Sequence, residues 1–222
     1  MTKLARRDVF VDLCIQRDYL SPNGSQPCHN AQQVAANVKH LMAFARLAKV
    51  PILSCVDVHR ANRIGADFVS VTPCTTPLEL KAAHTLLPNH VVVESDNSLC
   101  VPLDVLARHQ QAIFTKVHRD PFTNPKLDRL LTEMPAGRFV VFGIPLESSV
   151  RALVLGLLRR GRRVILLKDA CGFWNRKEAE MVLRQLAVKG CEPMGTVEYL
   201  GPALAWAARR RGIRVRPSRL VA

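Results

Sequence analysis

The chain alternates, over most of its length, between short apolar runs of strand size and stretches whose apolar residues recur at helical spacing. Near-continuous apolar strands need cover on both faces, so this alternation predicts a parallel sheet with helices above and below it. Residues 8–14 (DVFVDLC) read as the first strand. Ala31–Ala48 places Val34, Val38, Leu41, Phe44, Ala45 and Leu47 at helical spacing, and residues 51–56 follow as a strand. A Thr- and Pro-rich stretch, 57–88, breaks the pattern. Strands are then expected at 90–94, 112–117, 138–143 and 163–168, with a further one at 196–200. Residues 148–160 and 177–189 read as helices, and no internal repeat is present.

An apolar share of 48% over 222 residues is enough to fill one core, which excludes disorder and fibrous structure. We divide the chain into one domain, residues 1–205, and a basic tail, 206–222. No run approaches the roughly 20 apolar residues of a membrane-spanning helix, so no membrane partner is expected. The start, MTKLARRDVFVDL, carries no apolar signal core, and the seven cysteines lack CxxC or CxxH spacing. Reduced thiols and a cytoplasmic location are the expectation.

The formal charge of +14 raises the question of nucleic acid, since Lys and Arg that neutralise phosphates release bound counterions. Much of the excess sits in the tail, from Arg209 to Arg219, and at Arg159, Arg160, Arg162 and Arg163. With 5% aromatic residues there is little to stack bases, and a solvated tail is the simpler reading. Nucleic-acid binding through that tail stays as an alternative.

Parallel sheets bind ligands beyond the carboxyl ends of their strands. Asp12, Asp57, Lys116 and the turn GIPLESS, residues 143–149, fall there. Each has an ordinary alternative: a strand-end Asp caps a helix or turn, and a lone Lys is solvated.

Taken together, FVDLCIQRDYL (10–20), VDVH (56–59), FTKVHRDPFTNPKLDRLL (114–131), VVFGIPLESSVRALVLGLLRRGRRVILLKDACG (140–172) and GTVEYL (195–200) resemble the isochorismatase-like hydrolases, which include nicotinamidases and N-carbamoylsarcosine amidases. The resemblance implies a three-layer α/β/α fold with a mostly parallel sheet of about six strands. It also implies a pocket for amide hydrolysis and, by analogy, a homo-oligomer. The family's catalytic Asp would fall on Asp12 and its Lys on Lys116. Its nucleophilic Cys would fall on Ser149, six residues after Gly143.

That last substitution matters because a thiol at a helix start beside a lysine reaches its thiolate near neutral pH, whereas a serine hydroxyl needs a base. An Asp12 paired to a cationic Lys116 would be a poor base, and a Ser–Lys mechanism needs a neutral lysine. The family's cis turn would lie at Ile144 and Pro145. Proline keeps a cis shape easily but lacks the N–H that would serve the oxyanion, a loss on the order of a hundred- to thousandfold in rate.

Three further expectations follow from the resemblance. Asp57 and His59 match part of the family's divalent-metal set without the remaining histidines, so either no cofactor or a metal is held there. The first motif, D-x-Q-x-D-F in the family, carries two more residues between Asp12 and Gln16, which brings Cys14 close to the site as a substitute thiol or a buried structural one. Gln16, Phe122, Phe173 and Trp174 are candidates to line the pocket. The functional expectation is a small-molecule pocket of the amidase type with weak or absent turnover, and a working serine amidase is the alternative.

Overall fold

The computed structural model describes residues 8–58, 81–94, 96 and 98–201. Seven strands form one sheet: β1 (Asp8–Leu13), β2 (Ile52–Asp57), β3 (His90–Val93), β4 (Gln111–Lys116), β5 (Arg138–Gly143), β6 (Val164–Cys171) and β7 (Glu192–Met194). Their order is β3-β4-β2-β1-β5-β6-β7, and every pairing between neighbouring strands is parallel. The main helices are α1 (Ala31–Ala48), α2 (Pro125–Glu133), α3 (Arg151–Arg159) and α4 (Arg176–Val188).

Side chains along a strand alternate between faces, and the core divides accordingly. Val9, Val11 and Leu13 of β1 pack with Leu130 of α2, Leu153 of α3 and Val182 of α4. Phe10 turns the other way, into a cluster with Val38, Leu41 and Phe44 of α1. The result is the expected three-layer α/β/α arrangement, with α1 alone of the four main helices on its face. Local chemistry starts two of the helices: the Asn124 side chain accepts from the N–H groups of Lys126 and Leu127 ahead of Pro125, and Asn175 accepts from that of Glu178.

The C-terminal end corrects one expectation. The last strand is β7, and residues 196–200 are helical rather than extended. Asp169, in the second half of β6, accepts from both the N–H (2.8 Å) and the hydroxyl (2.7 Å) of Thr196, while Glu198 reaches back to the N–H of Gly195. These contacts satisfy helix-start donors that a strand would have offered to the sheet. Tyr199 and Leu200 then bury against the α1 face.

Among the described residues no helix is long and apolar enough to cross a membrane. The basic tail and His59 lie outside the described residues.

Candidate functional site

The site is built at the carboxyl ends of β1, β2, β4 and β5. Gly143 closes β5 with φ at 137°, and a Cβ there would run into the backbone of Leu13, so only glycine lets the two strand ends meet. The Ile144–Pro145 peptide is cis. The chain then makes a wide π turn, Leu146–Val150, before α3 begins, so the expected helix over 148–160 starts as a π turn with Ser149 buried inside it.

Ser149 lines a cavity of about 670 Å³. Pro145, Glu147, Asp57, Arg119, Arg151 and Trp174 share its wall. Of the expected pocket residues, Trp174 is in place, with its ring edge-on to Tyr19 at 5.6 Å and its indole N–H donating to the Pro27 carbonyl. Phe173 and Phe122 are not part of that wall. Phe173 stacks on His29, and Phe122 packs against α3 at Gly156 beneath the guanidinium of Arg160. Gln16 is not there either. Its side-chain amide accepts from the Asp57 N–H (2.8 Å) and donates to the Asp57 carbonyl (3.2 Å), which fixes the end of β2.

The expected pairing of Asp12 with Lys116 is replaced by two separate ion pairs. Asp12 Oδ1 accepts from Lys81 Nζ at 2.6 Å and its Oδ2 from the Ser54 hydroxyl at 2.7 Å, all fully buried. Gln111 extends this network by donating to Ser54 Oγ. Lys116 Nζ instead meets Asp57 Oδ2 at 2.9 Å and donates to the His118 carbonyl at 3.1 Å.

Strand parity explains the split. Asp12 is registered with Ser54 and shares the face of Phe10; Lys116 is registered with Asp57 and shares the face of Phe114 and Ala112. Ser54 and Asp57 are three positions apart in β2 and therefore point to opposite sides. Asp12 is thus on the α1 side, while Lys116 reaches the cavity wall through Asp57. Nothing in the local pattern LELKAAH singles out Lys81, which lies 69 residues from its partner.

Cys14 takes the place beside Lys116. Its backbone is left-handed, φ 49°, which breaks the strand alternation just after Leu13. Its thiol lies close enough to Lys116 to feel the charge of the ammonium. Burial pushes that thiol up to about 12, with Lys116 pulling the other way. Burial by itself would lower Lys116, but the Asp57 carboxylate paired with it outweighs that and holds the ammonium above its usual range. The spacing contained this signal: counting D-x-Q back from Gln16 falls on Cys14, not on Asp12.

For a metal, Asp57 is engaged by Lys116. Among the described residues no group of three His, Cys, Asp or Glu side chains is arranged to hold an ion.

These features accompany a fold shared with known hydrolases. The pyrazinamidase of Pyrococcus horikoshii in complex with zinc matches at a TM-score of 0.65 and 20% identity, covering 85% of this chain and 99% of that one. An isochorismatase-like hydrolase from Alkaliphilus metalliredigens matches at 0.68 and 15%, covering 90% and 99%. A cysteine hydrolase from Pseudomonas syringae pv. phaseolicola matches at 0.67 and 15%, covering 90% and 93%. No curated protein sequence matches the chain. At these identities the likeness to the solved structures is one of fold. The sequence profile described as the isochorismatase domain, however, matches residues 9–198, and with that span of the 222 residues the chain belongs to the isochorismatase-like hydrolase family.

Proposed function

We propose that this family member holds a small amide-like ligand in the cavity beside Ser149 and hydrolyses it slowly or not at all. The observation that carries this reading is the division of the two ion pairs between the sheet faces. Ser149 can attack a carbonyl carbon only if its hydroxyl proton is taken up as the C–O bond forms, and the leaving nitrogen must then receive a proton. Asp12 is committed to Lys81 and Ser54 on the far face. Lys116 is held as an ammonium beside Asp57 and has no lone pair to accept the proton. Pro145 adds to the deficit, because it has no N–H to offer an oxyanion.

The cavity itself supports binding. A volume of about 670 Å³, with the Trp174 and Tyr19 rings beside polar groups, leaves ample room for a molecule of pyrazinamide or benzamide size. The test pairs calorimetric titration of the full chain with a coupled assay for released ammonia, using benzamide and pyrazinamide. Saturable binding without ammonia above the buffer rate is expected, and Ser149→Cys is expected to gain no turnover. Rapid ammonia release by the natural chain, many turnovers per minute, that disappears in Ser149→Ala would overturn the reading and favour a serine amidase.

A further inference from the structure

The end of the sheet opposite the cavity gathers positive charge from three separate parts of the chain. α3 finishes at Arg159, and Arg160, Arg162 and Arg163 follow in the turn that leads to the amino end of β6. Arg160 is used inside the fold, 2.7 Å from Asp128. Arg162 donates to the Thr132 carbonyl, a neutral partner, and so keeps its charge unopposed. Arg159 and Arg163 are exposed, and neither has an ion pair among the described residues. The acidic groups of this end offset little of that charge: Asp8 is held by both arms of Arg138, Asp128 by Arg160, and exposed Glu192 at the start of β7 has Lys189 three residues before it.

The described fold also begins and ends at this rim. β1 starts at Asp8, so the basic residues before it are attached to the amino end of the sheet. After β7, Thr196 is held by Asp169 in the second half of β6, whereas the Tyr199 hydroxyl donates to Asp8 at 2.9 Å. The helical segment 196–201 therefore runs back along the sheet and points its far end at the start of β1. Residues 1–7 carry three positive charges, Lys3, Arg6 and Arg7, and residues 202–222 carry six, with no Asp or Glu in either stretch. Nine positive charges thus join the fold at the rim that already bears Arg159, Arg162 and Arg163.

We propose that this rim docks double-stranded nucleic acid through its phosphate backbone. An extended polyanion fits charge spread over one turn and two chain segments, whereas a small anion needs donors converging on one point. Guanidinium forks match phosphate oxygens two at a time, and all four basic residues of 159–163 and eight of the nine in 1–7 and 202–222 are arginine. A duplex is favoured over a single strand because 5% aromatic residues leave few rings for bare bases to stack on, and backbone contacts need none. The cavity lies at the carboxyl ends of the strands, so the two surfaces act independently of each other.

The test is fluorescence anisotropy of the full chain with a labelled DNA duplex of about 24 base pairs, and with the RNA duplex of the same sequence, between about 50 and 200 mM salt. Binding is expected to weaken steeply with salt, log K falling by about 0.9 per unit of log salt for each phosphate neutralised. Combining Arg159→Gln with Arg163→Gln should lower that slope by about 2 and the affinity about tenfold or more at about 100 mM salt. Arg17→Gln with Lys177→Gln removes two exposed charges from the carboxyl end instead, and should leave the slope within about half a unit. No duplex binding at about 50 mM salt would overturn the proposal. So would an unchanged slope in the Arg159 and Arg163 variant, which would leave residues 1–7 and 202–222 acting alone, or an equal loss in the Arg17 and Lys177 variant, which would reduce binding to net charge. Vesicles of phosphatidylserine and phosphatidylcholine that displace the duplex at a lower concentration of phosphate groups would assign the rim to an anionic membrane and overturn it likewise.

Discussion

Replacing Asp12 by Asn separates a structural role for this residue from a catalytic one. The substitution keeps the shape but removes the charge opposite Lys81, whose side chain is fully buried 2.6 Å away. It also leaves the Ser54 hydroxyl facing an NH2 unless the amide turns, and if it turns, Lys81 loses its acceptor. Breaking a buried ion pair by removing one partner costs about 3–5 kcal/mol. For a chain of this size that corresponds to a fall in Tm of roughly 6–20 °C, taking about 2–4 °C per kcal/mol. Adding Lys81→Met should recover about 2 kcal/mol or more of the loss, because the stranded ammonium goes with it. Urea unfolding followed by circular dichroism gives the stabilities, and benzamide calorimetry on the folded variant gives the affinity. Affinity is expected to stay within about twofold of the natural chain, a difference under 0.5 kcal/mol. An Asp12→Asn variant of undiminished stability whose ligand affinity fell tenfold, by about 1.4 kcal/mol, would refute the placement of Asp12 on the far face.

Other substitutions probe the elements that frame the site. Gly156→Ala should destabilise by about 1–2 kcal/mol even though alanine favours a helix, because its methyl group would meet the Phe122 ring, over which the Arg160 guanidinium also packs. Urea midpoints check this, and a stabilised variant would contradict it. Asp169→Ala removes both acceptor contacts to Thr196 and should cost about 1–2 kcal/mol, visible as a lowered midpoint with the slope unchanged.

Thiol chemistry offers a third check. Iodoacetamide at pH 8 should modify exposed Cys100 at least about tenfold faster than buried Cys14, measured by peptide mass mapping. Burial raises the Cys14 thiol from an ordinary 9.0 to about 12 and the Cys28 thiol to about 11. Because these folded values lie above the unfolded one, their contribution is complete below pH 9 and is lost as the pH climbs from there toward 12. A fall in unfolding free energy across that window, smaller in Cys14→Ala, is expected.

The layers were legible in the sequence because each rests on local pattern. Residues 138–143 read as a buried strand and are β5; Ala31–Ala48 reads as a helix and is α1. The 196–200 segment misled because Val197, Tyr199 and Leu200 look strand-like in isolation, whereas its helix depends on Asp169 arriving from β6. The cavity followed from the GIPLESS turn, and Ser149 and Trp174 line it. Phe122 has the same apolar character as Trp174, and only the position of Gly156 decides that it packs on a helix.

The sequence by itself determined which segments are buried on both faces, and so the three layers, since apolar periodicity is a property of neighbouring residues. It also held the turn that needs a glycine at 143 and the proline at 145. The tertiary structure alone decided which lysine each aspartate meets. That choice depends on which face of the sheet a side chain leaves from and on a single left-handed residue, Cys14, at the end of β1. It also depends on Lys81 being brought to Asp12 across 69 residues, and no local pattern specifies an ion pair formed at that range.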